Sequence, residues 1–300
     1  FEAKPGKIKL DRAKAIEYGK IQFYFNQPVK NLEIKSLDNT LKYVWTLKES
    51  NPTSDTVTFW YKGIDPDSLH LLLSSGNIFQ DTLHLSVIKK DAGKKFSKKE
   101  KKLDVVFNTN GSLGLNEKLE IRTSHPIFQY DLKKAELRED SVLIDDFIIL
   151  VKDSSLRKFN IVYPWKEGKQ YSFLVPKGLF TDYYDQVNDS VTVKFNIIPA
   201  SEYGNIKLNL KVNKKNLIVQ LVNEKDMLVR ENFVQEDQEI DYSFLTPANY
   251  KIKVIENVNS NNHWDTGDYF SKKQPEKVIY YKEIITVRAN WDVQLDWELK

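Results

Sequence analysis

The sequence predicts an all-β protein made of three β-sandwich domains in a row. Apolar and polar residues alternate through most of the chain, which is typical of half-buried strands. The composition is rich in aromatic residues that favour strands, with 15 Tyr and 16 Phe. A chain of 300 residues is too long for one sandwich, and a motif that recurs after about one domain length favours three.

The recurring motif begins with a Lys-apolar-polar-apolar run and ends with Pro and an apolar residue. Its two copies are Lys20, Ile21, Phe23, Pro28 and Val29, and then Lys118, Leu119, Ile121, Pro126 and Ile127, 98 residues further on. A second pair of segments, 81–85 and 189–193, aligns at an offset of 108. These two anchors predict one domain at 1–108, its repeat at 109–199, and a different domain at 200–300.

The first domain contains seven alternating segments. They lie at 21–25, 31–37, 41–47, 56–61, 69–73, 82–88 and 103–107. Turn-forming residues such as the run 51–55 separate them. Seven short strands are what an immunoglobulin-like (Ig-like) sandwich needs.

The second domain follows the same plan, with predicted strands at 143–151, 159–162, 170–175 and 191–198. The order Tyr171, Pro176, Gly178, Asp182 and Asp189 resembles the second half of bacterial Ig-like domains, in which a tyrosine strand leads into a Pro/Gly bend and an acidic loop. We therefore expect a tandem of two Ig-like sandwiches.

The third domain lacks the recurring motif. Its alternating segments lie at 204–210, 217–222, 227–233, 240–244 and 250–255, and the turn Leu245-Thr246-Pro247-Ala248-Asn249-Tyr250 precedes the fifth. A Leu-x-Pro-x-x-Tyr turn before a strand resembles the prealbumin-like, or carboxypeptidase-regulatory-like, sandwich. We expect that fold for 200–300, carrying an Asn-rich loop.

The last hundred residues carry a more specific resemblance. The runs 264–269, 274–281 and 285–292 are similar to the C-terminal signature of lipoproteins with Ig-like domains from Bacteroidota. Membership would imply an outer-membrane lipoprotein, attached to the membrane by a lipid anchor outside this chain. It implies no particular reaction.

Composition excludes several functional classes. The chain has no cysteine, so disulfides and thiolate metal sites are absent. No apolar run approaches the roughly 20 residues of a membrane-spanning helix. The positive excess is confined to the tract 89–102, with eight lysines and two acids. That tract lacks the interleaved aromatics of nucleic-acid binders, so we interpret it as a surface loop and expect no nucleic-acid partner.

The best local candidate for a ligand site is the Asn-rich loop, 257–268. Set against a 12-residue calcium loop, its oxygen donors would be Asn257, Asn259, Asn261, the carbonyl of His263, Asp265 and Asp268. The cofactor suggested by this spacing is Ca²⁺. The favoured alternative is a turn held by hydrogen bonds from Asn side chains to the backbone, with Trp264 packed beneath it.

No catalytic constellation stands out. The chain has no serine elbow of the Gly-x-Ser-x-Gly type and no pair of histidines at metal-ligand spacing. A glycosidase needs two facing carboxylates, and the nearest pairs are Asp145 with Asp146 and Asp292 with Asp296. We interpret these acids, and the four histidines, as ordinary structural or surface residues.

Exposed aromatic residues are the remaining candidates for binding. Tyr183 and Tyr184 lie in an acidic loop and are predicted to contact a protein partner, because tyrosine is enriched at interfaces. Tyr280, Tyr281, Trp291 and Trp297 could stack sugars, but their alternating pattern favours packing.

We therefore expect a non-catalytic interaction module of the cell envelope, an accessory lipoprotein that binds an outer-membrane protein or a β-barrel assembly complex. Binding of surface glycans is the first alternative, and a hydrolase with scattered carboxylates is the second.

Overall fold

The computed structural model describes residues 7–90, 102–109, 111–214, 216–267 and 272–299. Within these ranges the chain forms 26 strands and two single-turn 3-10 helices, Leu132–Lys134 and Ala200–Glu202. The all-β fold class is confirmed. None of the described helices is long and apolar enough to cross a membrane.

The first sandwich has seven strands in two sheets. They are β1 Leu10–Glu17, β2 Lys20–Phe25, β3 Glu33–Ser36, β4 Trp45–Ser50, β5 Thr56–Lys62, β6 Ser68–Ser75 and β7 Phe79–Ser86. The sheet orders are β1-β2-β5-β4 and β3-β6-β7. With the strands lettered A to G, these are the A-B-E-D and C-F-G sheets of a constant-type Ig domain.

Strict alternation builds the core of this sandwich. Ile21, Phe23 and Phe25 on β2 are buried while the residues between them are half-exposed. They pack against Leu71 and Leu73, which alternate in the same way on β6 of the facing sheet. Two sheets that bury only alternate residues against each other make a sandwich.

The second sandwich repeats this order with additions. Its strands are β8 Val105–Phe107, β9 Ser112–Leu113, β10 Leu119–Thr123, β11 Ile127–Tyr130, β12 Glu136–Glu139, β13 Val142–Ile144, β14 Ile148–Val151, β15 Lys158–Val162, β16 Gln170–Val175, β17 Phe180–Asp182 and β18 Val191–Ile197. One sheet has the order β14-β15-β10-β8 and the other β13-β12-β16-β18-β9. The extra strands β11 and β17 form a separate two-stranded ribbon.

The boundary between the first two sandwiches differs from the prediction. The segment 103–107 was assigned to the first domain, but β8 pairs with β10 of the second. The missing seventh strand of the first sandwich is β1, whose sequence LDRAKAIE alternates weakly because it is a charged edge strand. The first domain therefore ends before β8.

The predicted strand 143–151 is wrong as one element. It is two strands, β13 and β14, that belong to different sheets of the second sandwich. Asp145 and Asp146 lie where the chain crosses from one sheet to the other. These two acids therefore do not lie on a regular strand.

The third sandwich has β19 Gly204–Lys211, β20 Leu217–Asn223, β21 Leu228–Val234, β22 Gln238–Leu245, β23 Ala248–Glu256, β24 Val278–Tyr280, β25 Ile285–Val287 and β26 Asp292–Glu298. Its sheets are β22-β19-β26 and β21-β20-β23-β24, with β25 also on β23. The first strand, β19, lies between the fourth and the last and runs parallel to β26. This is the predicted prealbumin-like arrangement.

The two sequence anchors fall on equivalent strands of the first two sandwiches. The recurring motif occupies β2 and β10, which are the second strand of the plan in each domain. The other aligned pair falls on β7 and β18, which are the last strands. Of the lysine tract 89–102, residues 91–101 lie outside the described residues.

Candidate interaction site at the domain junction

The first and second sandwiches meet at a contact that we call the junction. The outer face of the sheet β1-β2-β5-β4 packs there against three segments of the second domain, at 123–126, 155–157 and 182–185. The sequence prediction placed Tyr183 and Tyr184 in a free acidic loop. The structure places both at the junction.

The hydroxyl of Tyr184 donates across the junction. Its oxygen is 2.9 Å from the carbonyl oxygen of Gly19 and 3.2 Å from that of Tyr61. Burial, with the nearby carboxylate of Glu17, raises the pKa of Tyr184 well above its usual value, so the hydroxyl stays protonated as a donor. Tyr184 therefore joins two domains of this chain.

Tyr183 contributes to an aromatic cluster, which we define as Trp45, Phe128 and Tyr183. The rings of Trp45 and Tyr183 are stacked, with centroids 3.7 Å apart and planes at 15°. Phe128 lies edge-on to Tyr183 at 5.3 Å and is 61% exposed. Tyr43, two residues before Trp45, is 90% exposed. The cluster thus places aromatic surface in solvent beside the junction.

Trp60 occupies the centre of the junction. It is fully buried, yet it lies on the outer face of β5 and belongs to none of the three domain cores. Its indole N–H donates to Glu49 at 2.9 Å. The cations of Lys20 and Arg157 lie 4.6 and 5.3 Å from its ring centroid. Cation–π contacts gain strength when they are desolvated, as here.

A buried charge network surrounds Trp60. The imidazole of His125 lies between two carboxylates, with Nδ1 2.7 Å from Asp182 and Nε2 3.3 Å from Glu17. Burial alone would lower the pKa of His125, but the hydrogen bonds to Asp182 and Glu17 outweigh it and the pKa is raised. In return, the hydrogen bond from His125 lowers the pKa of Glu17 to about 2. The contact of the His125 imidazole with Glu17 links the two domains.

A second ion pair crosses the same contact. The guanidinium of Arg157 lies 2.5 Å from the carboxylate of Glu49 and also donates to the carbonyl oxygen of Thr123. Burial would raise the pKa of Glu49, but its hydrogen bonds and the charge of Arg157 lower it. Lys62 and Asp185 form a third, more exposed pair at 3.1 Å.

Trp60, His125 and Glu17 were not predicted as site residues. Their partners are far away in the sequence, since Glu17 is 108 residues before His125 and Asp182 is 57 residues after it. The available signal was a large apolar residue at a position where alternation calls for a polar one. Trp60 breaks the alternation between Phe59 and Tyr61 in this way.

The Asn-rich loop is held by its own hydrogen bonds. The side-chain oxygens of Asn257, Asn259 and Asn261 accept backbone N–H groups within the loop. The amides of Asn259 and Asn261 donate to the carboxylate of Asp265. His263 contributes its N–H to Asn261. Asp268, the sixth predicted ligand, lies outside the described residues.

A buried carboxylate supports this loop from beneath. Glu276 accepts the N–H of Val258 at 2.7 Å and that of Asp265 at 3.1 Å. The indole N–H of Trp264 donates to the Glu276 carbonyl oxygen at 3.0 Å. These contacts are those of a turn held by side-chain to backbone hydrogen bonds. The calcium site stays a prediction.

The other acidic pairs and aromatics have individual partners. Asp292 and Asp296 accept from Asn205 and Asn209 on the neighbouring strand. Trp297 packs with Tyr281 against the third core, whereas Trp291 is 57% exposed beneath Arg288. Within the described residues, no group of three or more His, Asp or Glu side chains is placed to hold a metal ion. The hydrolase alternative stays a prediction.

Comparison with known proteins gives no family. No family model and no curated protein matches the chain. Solved structures with which it aligns include the I9–I11 tandem of titin, at 10% identity and a TM-score of 0.19, over 97% of this chain and 100% of that one. The surface glycan-binding protein SGBP-B of the mixed-linkage glucan utilization locus of Bacteroides ovatus aligns at 10% identity and a TM-score of 0.24, over 90% and 69%. Domains 1–6 of the surface layer protein SbsC align at 12% identity and a TM-score of 0.31, over 95% of this chain and 41% of that one.

These TM-scores are too low for the alignments to bear on function. The class of protein is defined by strand order alone: two Ig-like sandwiches followed by a prealbumin-like one. The first two of these sandwiches meet at the junction, which holds a buried tryptophan and ion pairs between the two domains.

Proposed function

We propose that the chain is a non-catalytic interaction module of the cell envelope, which binds a protein partner through the aromatic cluster beside the junction. The observation that carries the proposal is the exposure of Phe128 next to the stacked rings of Trp45 and Tyr183. Aromatic residues are enriched in the centres of protein interfaces because they bury a large area at low entropic cost.

The junction supports this proposal by fixing the cluster in place. Trp45 comes from the first domain, whereas Phe128 and Tyr183 come from the second. The cluster therefore exists only while the two sandwiches keep their relative orientation, which Tyr184, His125 and Trp60 maintain. A site preorganised in this way binds with a smaller loss of conformational entropy.

The partner that we propose is an outer-membrane protein or a β-barrel assembly complex, reached through a lipid anchor outside this chain. The resemblance of the last hundred residues to Bacteroidota lipoproteins motivates this choice. The test replaces Phe128 with a photo-crosslinking residue in the membrane-bound protein of the source cells. We expect one stoichiometric adduct with an outer-membrane protein. The control carries the same residue at Ile78, which is 76% exposed on the first domain, and should give no such adduct.

Glycan binding is the second candidate, because an exposed ring such as Phe128 or Tyr43 also offers a stacking face for a sugar. It predicts that titration with a panel of surface polysaccharides changes the tryptophan emission of the native protein but not that of Phe128→Ala. A sugar-dependent change together with no protein adduct at Phe128 would favour the glycan-binding function over the protein-binding one.

A further inference from the structure

The strand β14 is an apolar edge with unpaired backbone groups. It lies at the end of the sheet β14-β15-β10-β8 and consists of Ile148, Ile149, Leu150 and Val151. Charge protects some edge strands, as the acidic and basic residues of β1 do. The short edge strands β8 and β13 of the second sandwich carry no charge, and neither does β14. No charged residue protects β14 along its length. Ile148 is 58% exposed and Leu150 is 50% exposed.

The hydrogen-bond pattern shows which backbone groups of β14 are unpaired. Lys152 donates its N–H to Lys158 of the adjacent segment, and the pairing register continues back through Leu150 with Asn160. In an antiparallel ladder alternate residues face the partner strand. The N–H and C=O groups of Ile149 and Val151 therefore point away from β15, to the free side. No described residue hydrogen-bonds to them there.

The facing sheet, β13-β12-β16-β18-β9, is also uncovered at its edge strand β13. Val142 of β13 lies on the same face as Ile144, which pairs with the core residue Leu137. It is nevertheless 66% exposed, because nothing among the described residues packs over the end of β13. A groove of about 450 Å³ opens between β13 and β14, lined in part by Leu143, Phe147 and Ile149. One more strand beside β14 would cover this groove.

The sequence around β14 is complementary to itself. Ile148 and Leu150 lie on the outer face of β14, Asp146 precedes the strand, and Lys152 follows it with its ammonium 3.1 Å from the carboxylate of Glu120. If a second copy runs antiparallel with Ile149 opposite Ile149, Ile148 pairs with Leu150 on the outer face, and Asp146 comes opposite Lys152 just beyond the strand ends, each twice. Apolar and opposite-charge pairs directly across two strands stabilise a sheet. The like charges of Asp145 and Asp153 come opposite each other beyond the strand ends.

The backbone fits the same register. With Ile149 at the two-fold axis, the unpaired groups of Ile149 face their own copies, and those of Val151 face Phe147 of the second copy. These pairs are the hydrogen-bonded ones in an antiparallel ladder. Shifting the register by two residues would instead place Lys152 opposite Ile148.

We propose that β14 is the self-association site of this chain, where two copies join the sheets of their second sandwiches across a two-fold axis. A C2 contact of this kind uses the same surface on both copies. The occupant is a second copy because the apolar residues of β14 oppose one another in the reversed copy and the flanking charges of Asp146 and Lys152 come together. This contact is independent of the aromatic cluster, so either proposal can fail alone.

The test uses two single variants and sedimentation equilibrium up to roughly 1 mM, where a contact of only millimolar affinity would still be seen. The native protein should dimerise with rising concentration. Ile148→Lys or Leu150→Glu should each weaken dimerisation by about tenfold or more, since a charge would face an apolar residue. An equimolar mixture of the two variants should form heterodimers, because the introduced lysine of one variant lies opposite the introduced glutamate of the other. Both replaced residues are exposed, so circular dichroism should show an unchanged fold.

A native protein that stays monomeric at every concentration would overturn the proposal, as would single variants that dimerise like the native chain. Cysteine cross-linking checks the register, because the chain has no cysteine of its own. Ile148→Cys mixed with Leu150→Cys should form a disulfide on oxidation, since directly opposed residues lie about 4.5 to 5.5 Å apart. Either variant alone should cross-link poorly. Equal cross-linking of all three samples would contradict this register.

Discussion

The indole of Trp60 meets the imidazole of His125 edge-on across the junction, with ring centroids 5.8 Å apart and planes at 83°. Both rings are buried and each comes from a different sandwich. Neither belongs to a domain core. The two sandwiches therefore have separate cores, and this contact is one of those that orient them relative to each other.

Trp60→Ala should uncouple the first two domains rather than unfold them. Truncation of a buried aromatic residue costs about 3–5 kcal/mol, and here that loss falls on the junction, since Trp60 lies outside the cores. We expect the unfolding transitions of the two domains to separate in calorimetry, and solution scattering to show a broader distribution of interdomain angles. Trp291→Ala, at a 57% exposed position, is the control and should change neither. A single unchanged transition in Trp60→Ala would contradict this role.

The stability of the junction should depend on pH through His125 and Glu17. The folded-state pKa of His125 is raised, so its stabilisation is complete below the unfolded value of 6.5 and is lost as the pH rises through the folded-state pKa. The folded-state pKa of Glu17 is lowered to about 2, so Glu17 stabilises the folded protein above pH 4.5, its unfolded pKa. This stabilisation is lost as the pH falls toward about 2. Both contributions are present between 4.5 and 6.5.

His125→Gln tests this dependence. Removing one member of a buried ion pair costs about 3–5 kcal/mol because its partners are left unpaired. The difference in Tm between native and variant protein should be larger at about pH 5.5 than at a pH above the raised folded-state pKa of His125, where the native imidazole has lost its proton. An equal difference at both pH values would show that His125 acts through packing alone.

Gly19→Ala should destabilise the junction. Gly19 has φ +77°, and a Cβ there would lie 2.5 Å from the Tyr184 ring and 2.6 Å from the Tyr61 carbonyl oxygen. Gly76→Ala is a matched control, because Gly76 also has positive φ but a Cβ would meet nothing within 4 Å. Both variants lose about 1 kcal/mol from backbone conformation, and only Gly19→Ala should lose more. Equal losses in thermal unfolding would mean that Tyr184 moves aside without cost.

Glu276→Ala should open the Asn-rich loop without unfolding the third sandwich. The carboxylate of Glu276 is buried and accepts two loop N–H groups, so its removal leaves both unpaired. A hydrogen bond to a charged group contributes about 1.5–3 kcal/mol to stability. Hydrogen exchange at Val258 and Asp265 should accelerate while exchange in β20 stays slow. Unchanged exchange at those two amides would refute the supporting role of Glu276.

Calcium should have little effect on this loop. The amide oxygens of Asn257, Asn259 and Asn261 already accept loop N–H groups, so an ion would have to displace hydrogen bonds. We expect the Tm to be the same in millimolar calcium as in the presence of a chelator, since a ligand raises stability only by binding the folded state. A rise in Tm that Asp265→Asn abolishes would establish the calcium site instead.

Local pattern predicts much of this fold. Alternation identified β2, β6, β19, β22 and β23 closely, because each buries one face against a facing sheet. It failed at 143–151, where an apolar run crosses between sheets and Asp145 and Asp146 were the only interruption. It also missed β1, whose charges suit an edge.

The junction could not be predicted in the same way. Its contacts join residues such as Glu17 and His125, or Lys62 and Asp185, that are more than a hundred positions apart. Nothing in the local sequence of either residue specifies the other. Tyr183 and Tyr184 were predicted to contact a protein partner from an acidic loop, but their contacts with the first domain depend on how the two sandwiches are arranged.

The parallel alignment of β19 and β26 has a mechanical consequence. Their pairing runs from Asn205 beside Asp292 to Lys211 beside Glu298, so the chain enters the third sandwich at one end of the ladder and leaves it at the other. Tension between these two points would load every rung of the ladder in shear at the same moment, whereas an antiparallel pair would peel open one rung at a time. The third sandwich is thus built to resist being pulled apart along the chain.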